Sequence, residues 1–281
     1  MDPPPWLKSF SRADAWQAAL VYAGLLLGAA LVAPALVRRL RRRCAACEAR
    51  AAAVLSRPVE LRDAATVALA VLDLQIFVLI AAELAPECPP ALWLIVNTLS
   101  CDVTGLALLT LLLRRRRQSW SAAFGGSWRR AVPDAAAGVL AYVALLPAFL
   151  LTAFACQSVL DLCGYPSAMQ PLAALLAESD SAWVRAAVFV AAAGIAPVFE
   201  EAFFRGLWLP VLARRFGPAR AIALTSLAFG QLHFHVPSLL PLMVVSAGFS
   251  LAYLCTGSLV TSIVMHAIFN AVNMGIILGM T

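Results

Sequence analysis

Residues 135–162 read AAAGVLAYVALLPAFLLTAFACQSVLDL, an apolar run from Ala135 to Leu162. As a helix, a run of that length exceeds the roughly 20 apolar residues needed to cross a hydrocarbon core about 30 Å thick. Similar runs lie on either side of it: Ala15 to Val37, Ala64 to Leu84, Ala91 to Leu113, Trp183 to Phe204, Ala219 to Phe234, Leu239 to Cys255 and Leu259 to Met280. The pattern predicts eight spans, within the seven to nine that the length of 281 residues allows at about 20 residues each. The expected fold class is therefore all-α, a polytopic membrane protein.

Composition points the same way. The chain is 62% hydrophobic and 13% charged, with a mean hydropathy of +0.86, whereas a soluble domain is about half apolar and a quarter charged. A disordered chain would be poor in apolar residues and rich in charge. Seven cysteines in 281 residues are too sparse for a disulfide-stapled scaffold. The first apolar run is followed by Arg38, Arg39, Arg41, Arg42 and Arg43; a cleaved signal peptide carries its basic residues ahead of the run, so a retained first helix is expected.

The net charge of +6 is informative through its placement. Basic residues follow spans one, three and five: Arg38 to Arg62, Arg114 to Arg117 with Arg129 and Arg130, then Arg205, Arg214, Arg215 and Arg220. The segments after spans two and four hold Glu87, Glu178 and Asp180 and no base. Thus 18 of the 21 basic residues fall on one side, the exceptions being Lys8, Arg12 and Arg185. Because cytoplasmic loops are enriched in Lys and Arg, that side is expected to be cytoplasmic and both termini to face away from it. The distribution implies a lipid bilayer as partner and no nucleic acid.

A boundary is expected near Val132-Pro133-Asp134, with Asp134 suited to start a helix. It separates an N-terminal region of about three helices and Arg-rich loops (1–133) from a C-terminal region of about five (134–281). In the first region Asp73, Gln75, Asn97 and Asp102 are scattered single polar positions, expected to form interhelical hydrogen bonds. Chemistry is expected after the boundary.

Ionisable groups at membrane depth are costly, so function is the default hypothesis for them. Span five ends in Ala196-Pro197-Val198-Phe199-Glu200-Glu201-Ala202-Phe203-Phe204-Arg205-Gly206. Arg205 lies four residues after Glu201 and can pair with it on one helix face. Glu200 points about 100° away and lacks that partner, which leaves it as a proton acceptor. The competing reading is a helix end at the interface, where charges cost little. Span six carries Phe229 and His233, followed by His235 outside the cluster; span eight carries His266 and Asn270 at i and i+4. A carboxylate with a nearby histidine can activate water, and a His/Asn pair can donate hydrogen bonds to an oxyanion. Ser226 and Cys255 do not stand at motif spacing for covalent catalysis.

Glu200-Glu201-x-x-x-Arg205, Phe229-x-x-x-His233 and His266-x-x-x-Asn270, in this order, closely resemble the motifs of the CAAX protease and bacteriocin-processing (CPBP, or Abi) family of intramembrane glutamic endopeptidases. Ala196-Pro197 before the glutamates, Phe204-Arg205-Gly206 after them and Thr256-Gly257-Ser258-Leu259 before His266 agree with it. The resemblance covers about Asp134 to Thr281. It implies a hydrolase in which Glu200 and His233 activate water, His266 and Asn270 form the oxyanion hole, Glu201 and Arg205 brace the helix and Phe229 packs beside the site. It implies a membrane-associated peptide or protein substrate and no cofactor. Prenylated C-terminal cysteine motifs are the known substrates of the eukaryotic branch; bacterial members are linked to bacteriocin maturation, self-immunity and scaffolding. Glu201 as the base is the open alternative.

Two other readings stand beside this one. A zinc protease would use Glu and His as ligands, although the His-Glu-x-x-His helix is absent. A non-catalytic scaffold or transporter would use the polar cluster for protons or ligands. Cys44-Ala45-Ala46-Cys47 is expected to be two free thiols, and Cys88 with Cys163 is open to a disulfide. The Ala- and Arg-rich composition suggests a GC-rich genome and hence a multi-pass protein of a bacterial inner membrane.

Overall fold

The computed structural model describes residues 44–280 except 58, 164 and 166–168. The first expected span, Ala15 to Val37, and the arginines at 38–43 lie outside them. From Ala46 onward the chain forms one compact unit, entirely helical among the described residues. The short helix α1 (Cys44–Leu55) leads to α2 (Leu61–Leu84), whose first turn is closed by a reciprocal box in which the Glu60 N–H donates to Asp63 Oδ2 at 3.0 Å. Next come α3 (Pro90–Arg115), opened by a proline, the short α4 (Trp120–Phe124) and the long α5 (Ala131–Leu162).

After α6 (Pro171–Glu178), α7 (Ala182–Val190) begins a nearly continuous rod. It passes through a π-helical turn (Ala191–Ile195), α8 (Ala196–Glu201), a second π-helical stretch (Ala202–Trp208) and α9 (Leu209–Phe216). The fold closes with α10 (Pro218–Gln231), α11 (Leu239–Thr256) and α12 (Leu259–Met280).

Among the described residues six helical segments are long and apolar enough to cross a membrane: Leu61–Leu84, Ala91–Arg115, Trp128–Leu162, Ala182–Phe216, Val236–Thr256 and Leu259–Gly279. The expected sixth span is the one in this region that falls short. Helix α10 has 14 residues, about 21 Å at 1.5 Å per residue, less than the hydrocarbon thickness. The chain turns at Leu232–Phe234, where Phe234 takes a left-handed φ of 48°, and Pro237 follows. Even so, α10 links opposite ends of the unit. Just before it Arg214 donates to the Arg57 carbonyl at 2.9 Å, and just after it Ser238 accepts from Gln170 at 3.1 Å.

The arginine end is knitted together by loops distant in sequence. Arg57 bonds the Tyr253 hydroxyl and the Gly257 carbonyl, and Arg116 pairs with Asp63 at 2.5 Å. Gly125, at φ +74°, lies so close to the Gly257 carbonyl that a Cβ would overlap it.

Side-chain polarity is inverted relative to a soluble protein. Leu69, Leu72, Ile76, Phe77, Leu79 and Ile80 of α2 are exposed, while Asp102, Asp134, Glu201, Arg205, Ser246, Ser250 and His266 are buried. Lipid accepts the former at no cost, and the latter persist only where partners are supplied internally. Cys88 and Cys163 are both free thiols. Helix α3, ahead of the expected boundary at 133, packs against α8, behind it.

Candidate active site

The site is built on α8, and prolines shape its surroundings. An α-helix bonds each carbonyl to the N–H four residues on. In the first π turn the register slips to five, the Ala196 N–H donating to the Ala191 carbonyl. The next donor in that register would be residue 197, which is a proline and has no N–H. The Ala192 carbonyl is instead satisfied from outside, by Asn270 Nδ2 of α12 at 2.7 Å. In the second π stretch the Leu209 N–H likewise bonds the Phe204 carbonyl, just ahead of Pro210. Glu200 and Glu201 thus occupy one regular helical turn between two widened ones.

Glu201 is wholly buried. Its Oε1 accepts from Arg205 Nη1 at 2.8 Å and contacts His266 Nδ1 at 3.0 Å. Arg205 is also wholly buried and has the partners that such a group requires: Nη2 donates to the Ser246 carbonyl at 2.9 Å and to Ser246 Oγ at 2.6 Å, and Nε donates to Ser250 Oγ at 3.4 Å. The rings of Phe204, Phe229 and Phe249 lie 5.8, 5.0 and 5.2 Å from the guanidinium carbon, within cation–π range. Ser246 and Ser250, i and i+4 on α11, are the partners that sequence reasoning missed. The signal was there, two serines one turn apart in the middle of a largely apolar helix.

Glu200 differs from its neighbour. Its side chain is 25% exposed, and its Oε2, which like Glu201 Oε2 has no hydrogen-bond partner, lies 3.8 Å from His266 Nε2. Since the Glu201 carboxylate can only accept, His266 Nδ1 carries the proton of that contact, which directs Nε2 towards Glu200. The imidazole stacks on Phe249 with ring centroids 4.8 Å apart.

In the turn that follows α10, His233 Nδ1 is bonded to the Phe229 carbonyl at 2.8 Å; a carbonyl accepts, so this contact places the proton on Nδ1 and the lone pair on Nε2. The Phe229 ring lies between the two imidazoles, 4.8 Å from His233 and 5.6 Å from His266. Glu200, Glu201, Arg205 and His266 therefore meet directly, His233 joins through Phe229, and Asn270 is engaged with the backbone of the π turn. His235 is outside this group, bonded to Ser238.

Of the polar residues expected to join helices, Asp73 is exposed and Asn97 accepts from Cys101 of its own helix. Asp102 is buried, with its Oδ2 unpartnered. Gly105, one turn further along α3, lets the helices approach: a Cβ there would overlap the Phe199 ring. Nothing in the sequence signals this approach, because it depends on how α3 and α8 pack. No group of three or more His, Cys, Asp or Glu side chains that could hold a metal ion occurs among the described residues.

Fold and site together define a multi-pass membrane protein whose interior carries acid–base groups. Residues 182–272 match the family model for type II CAAX prenyl endopeptidases, Rce1-like. The match spans about a third of the chain and includes Glu200, Glu201, Arg205, Phe229, His233, His266 and Asn270. It supports a CAAX-protease-type membrane hydrolase and agrees with the CPBP resemblance read from the motifs. No curated protein and no solved structure matches the chain.

Proposed function

We propose that the protein is an intramembrane glutamic endopeptidase that hydrolyses a peptide bond near the C-terminus of a prenylated, membrane-associated peptide. The observation that carries this reading is the contrast between the two adjacent glutamates. Glu201 is wholly buried and held by Arg205 and His266, whereas the Glu200 side chain keeps 25% exposure and makes no hydrogen bond to Arg205. Glu200 is then the base. It takes a proton from water, the hydroxide attacks the scissile carbonyl, and the proton passes to the departing amine.

His233, whose Nδ1–H is engaged by the Phe229 carbonyl, presents Nε2 as an acceptor that helps to orient the water. The second N–H of the Asn270 amide is one donor to the oxyanion; His266, whose Nδ1–H is held by Glu201, is the other and donates from Nε2 in its doubly protonated form. The prenylated substrate class comes from the matched family, and the exposed apolar helices would keep such a peptide in the bilayer beside the site. The arginine end faces the cytoplasm, and the reaction proceeds without a metal ion.

The test is cleavage of a quenched-fluorescent peptide ending in a farnesylated Cys-aliphatic-aliphatic-X sequence by the purified full chain in liposomes. Glu200→Ala and His233→Ala should each lower the rate about 10²- to 10⁴-fold, the range for loss of general-base catalysis, with folding intact. Cleavage should persist in chelator. Full activity in Glu200→Ala would overturn the assignment.

A further inference from the structure

Helix α2 packs against α3 and the second π-helical stretch, and the residues that it buries are Asp63, Ala64, Val67 and Val78. With about 100° between successive residues, the opposite side carries Leu69, Asp73, Phe77 and Ile80, and all four are exposed. Three of them suit lipid, and Asp73 does not.

Asp73 stands at the middle of the 24 residues of α2. At about 1.5 Å per residue either end lies about 17 Å away, beyond the half-thickness of a hydrocarbon core about 30 Å across. Its side chain has a single methylene and cannot snorkel to water as the long stems of Lys and Arg do. Leu69, Ala70, Ile76 and Phe77, one turn away on either side, are apolar, and Asp73 makes no hydrogen bond or ion pair among the described residues. The ionisable pair deep in the rod, Glu201 and Arg205, is by contrast buried and mutually bonded. A carboxyl that faces hydrocarbon at this depth lacks the partner that such groups require.

We propose that the outer face of α2 is a docking surface for a membrane-spanning helix of another protein, one that carries a Lys or Arg at mid-membrane depth to pair with Asp73. Charge complementarity is the reason. Hydrocarbon penalises each charge alone, pairing relieves both penalties together, and no water is present to screen the attraction. Leu69, Phe77 and Ile80 supply the apolar contact around the pair. A second copy of this chain does not meet the requirement, because it would bring two carboxylates together. Nor does it offer a base at that depth: among the described residues the exposed arginines of the spans lie at their ends, and Arg205 is buried and engaged by Glu201, Ser246 and Ser250. The surface lies outside the segment matched to the protease family and is independent of the reading of Glu200 as the base.

The experiment places the full chain, labelled with a donor dye, in phosphatidylcholine liposomes with acceptor-labelled leucine–alanine peptides of about 20 residues that carry Lys, Leu or Glu at the centre. Energy transfer to the Lys peptide should be half-maximal at about tenfold lower peptide density than to the Leu or Glu peptide, and Asp73→Leu should remove that difference. Equal transfer to the three peptides, or a Lys preference that survives in Asp73→Leu, overturns the proposal. Transfer between donor- and acceptor-labelled copies of the chain that Asp73→Leu abolishes would assign the face to a second copy and overturn it as well. Because Asp73 gives up no internal contact, Asp73→Leu should unfold at the wild-type temperature or above it. A lower midpoint would mean that the carboxyl is held within the chain, and the docking surface would fall. None of these readouts depends on peptide cleavage.

Discussion

Arg205→Met isolates what the buried ion pair contributes. The guanidinium has no exposure, bonds Glu201, Ser246 and Ser250, and lies among three phenylalanine rings. Methionine fills much of the volume and restores none of the donors. Glu201 Oε1 would keep His266, but Oε2 already lacks a partner, so the carboxylate would sit in an apolar interior with half of its acceptors unserved. Removing one member of a buried pair costs about 3–5 kcal/mol, equivalent to a 10²- to 10⁴-fold change in the folding equilibrium at about 1.4 kcal/mol per decade.

The same reasoning makes the double variant Arg205→Met/Glu201→Gln more stable than Arg205→Met, by about 2 kcal/mol or more, since no unpaired charge is then buried. Arg205→Lys should fall between wild type and Arg205→Met. It keeps the charge but lacks the planar fork that reaches Glu201 and Ser246 together. Reversible unfolding in mixed micelles, followed by tryptophan fluorescence, measures all three. If Arg205→Met lies within about 1 kcal/mol of wild type, or the double variant is no more stable than the single, the account of the pair is wrong.

Further outcomes follow from other contacts. Asn270→Ala leaves the Ala192 carbonyl without its donor; it should cost about 1–3 kcal/mol in the same unfolding assay and lower kcat about 10²- to 10³-fold through loss of an oxyanion donor. A drop in kcat with unchanged stability would separate Asn270 from the π turn. Gly105→Leu forces α3 away from Phe199 and should destabilise by about 1–3 kcal/mol through overpacking, with a larger proportional loss of peptide cleavage because the turn bearing Glu200 shifts. Wild-type kinetics in that variant would contradict the packing. A reporter fused after Thr281 should behave as non-cytoplasmic, and cysteines introduced next to Arg116 and Arg214 should be labelled from the cytoplasmic side only. The opposite pattern would reverse the orientation.

Hydropathy alone was sufficient for the class of protein, because lipid imposes one local requirement on every spanning segment: about 20 apolar residues in a row. The same requirement made the site residues readable. Any Glu, His or Arg inside such a run stands out, and the Glu201 to Arg205 spacing of four states its own pairing on a helix. Helix α10 shows where length reasoning fails, since an apolar run does not reveal where the backbone will turn, and Leu232–Phe234 turns before the run is complete. The π turns were encoded locally by Pro197 and Pro210, but which side chain would serve the carbonyl orphaned at Ala192 was not.

What the sequence by itself determined were the properties that depend on neighbours along the chain: membrane insertion, the glutamate and histidine positions, and the brace of Glu201 by Arg205. What only the tertiary structure decided were the contacts between helices. These include His266 with both glutamates, Ser246 and Ser250 on Arg205, and Asn270 on the π turn. In an interior without water, each buried polar group must find its partner on another helix, and that choice is set by which helices pack together.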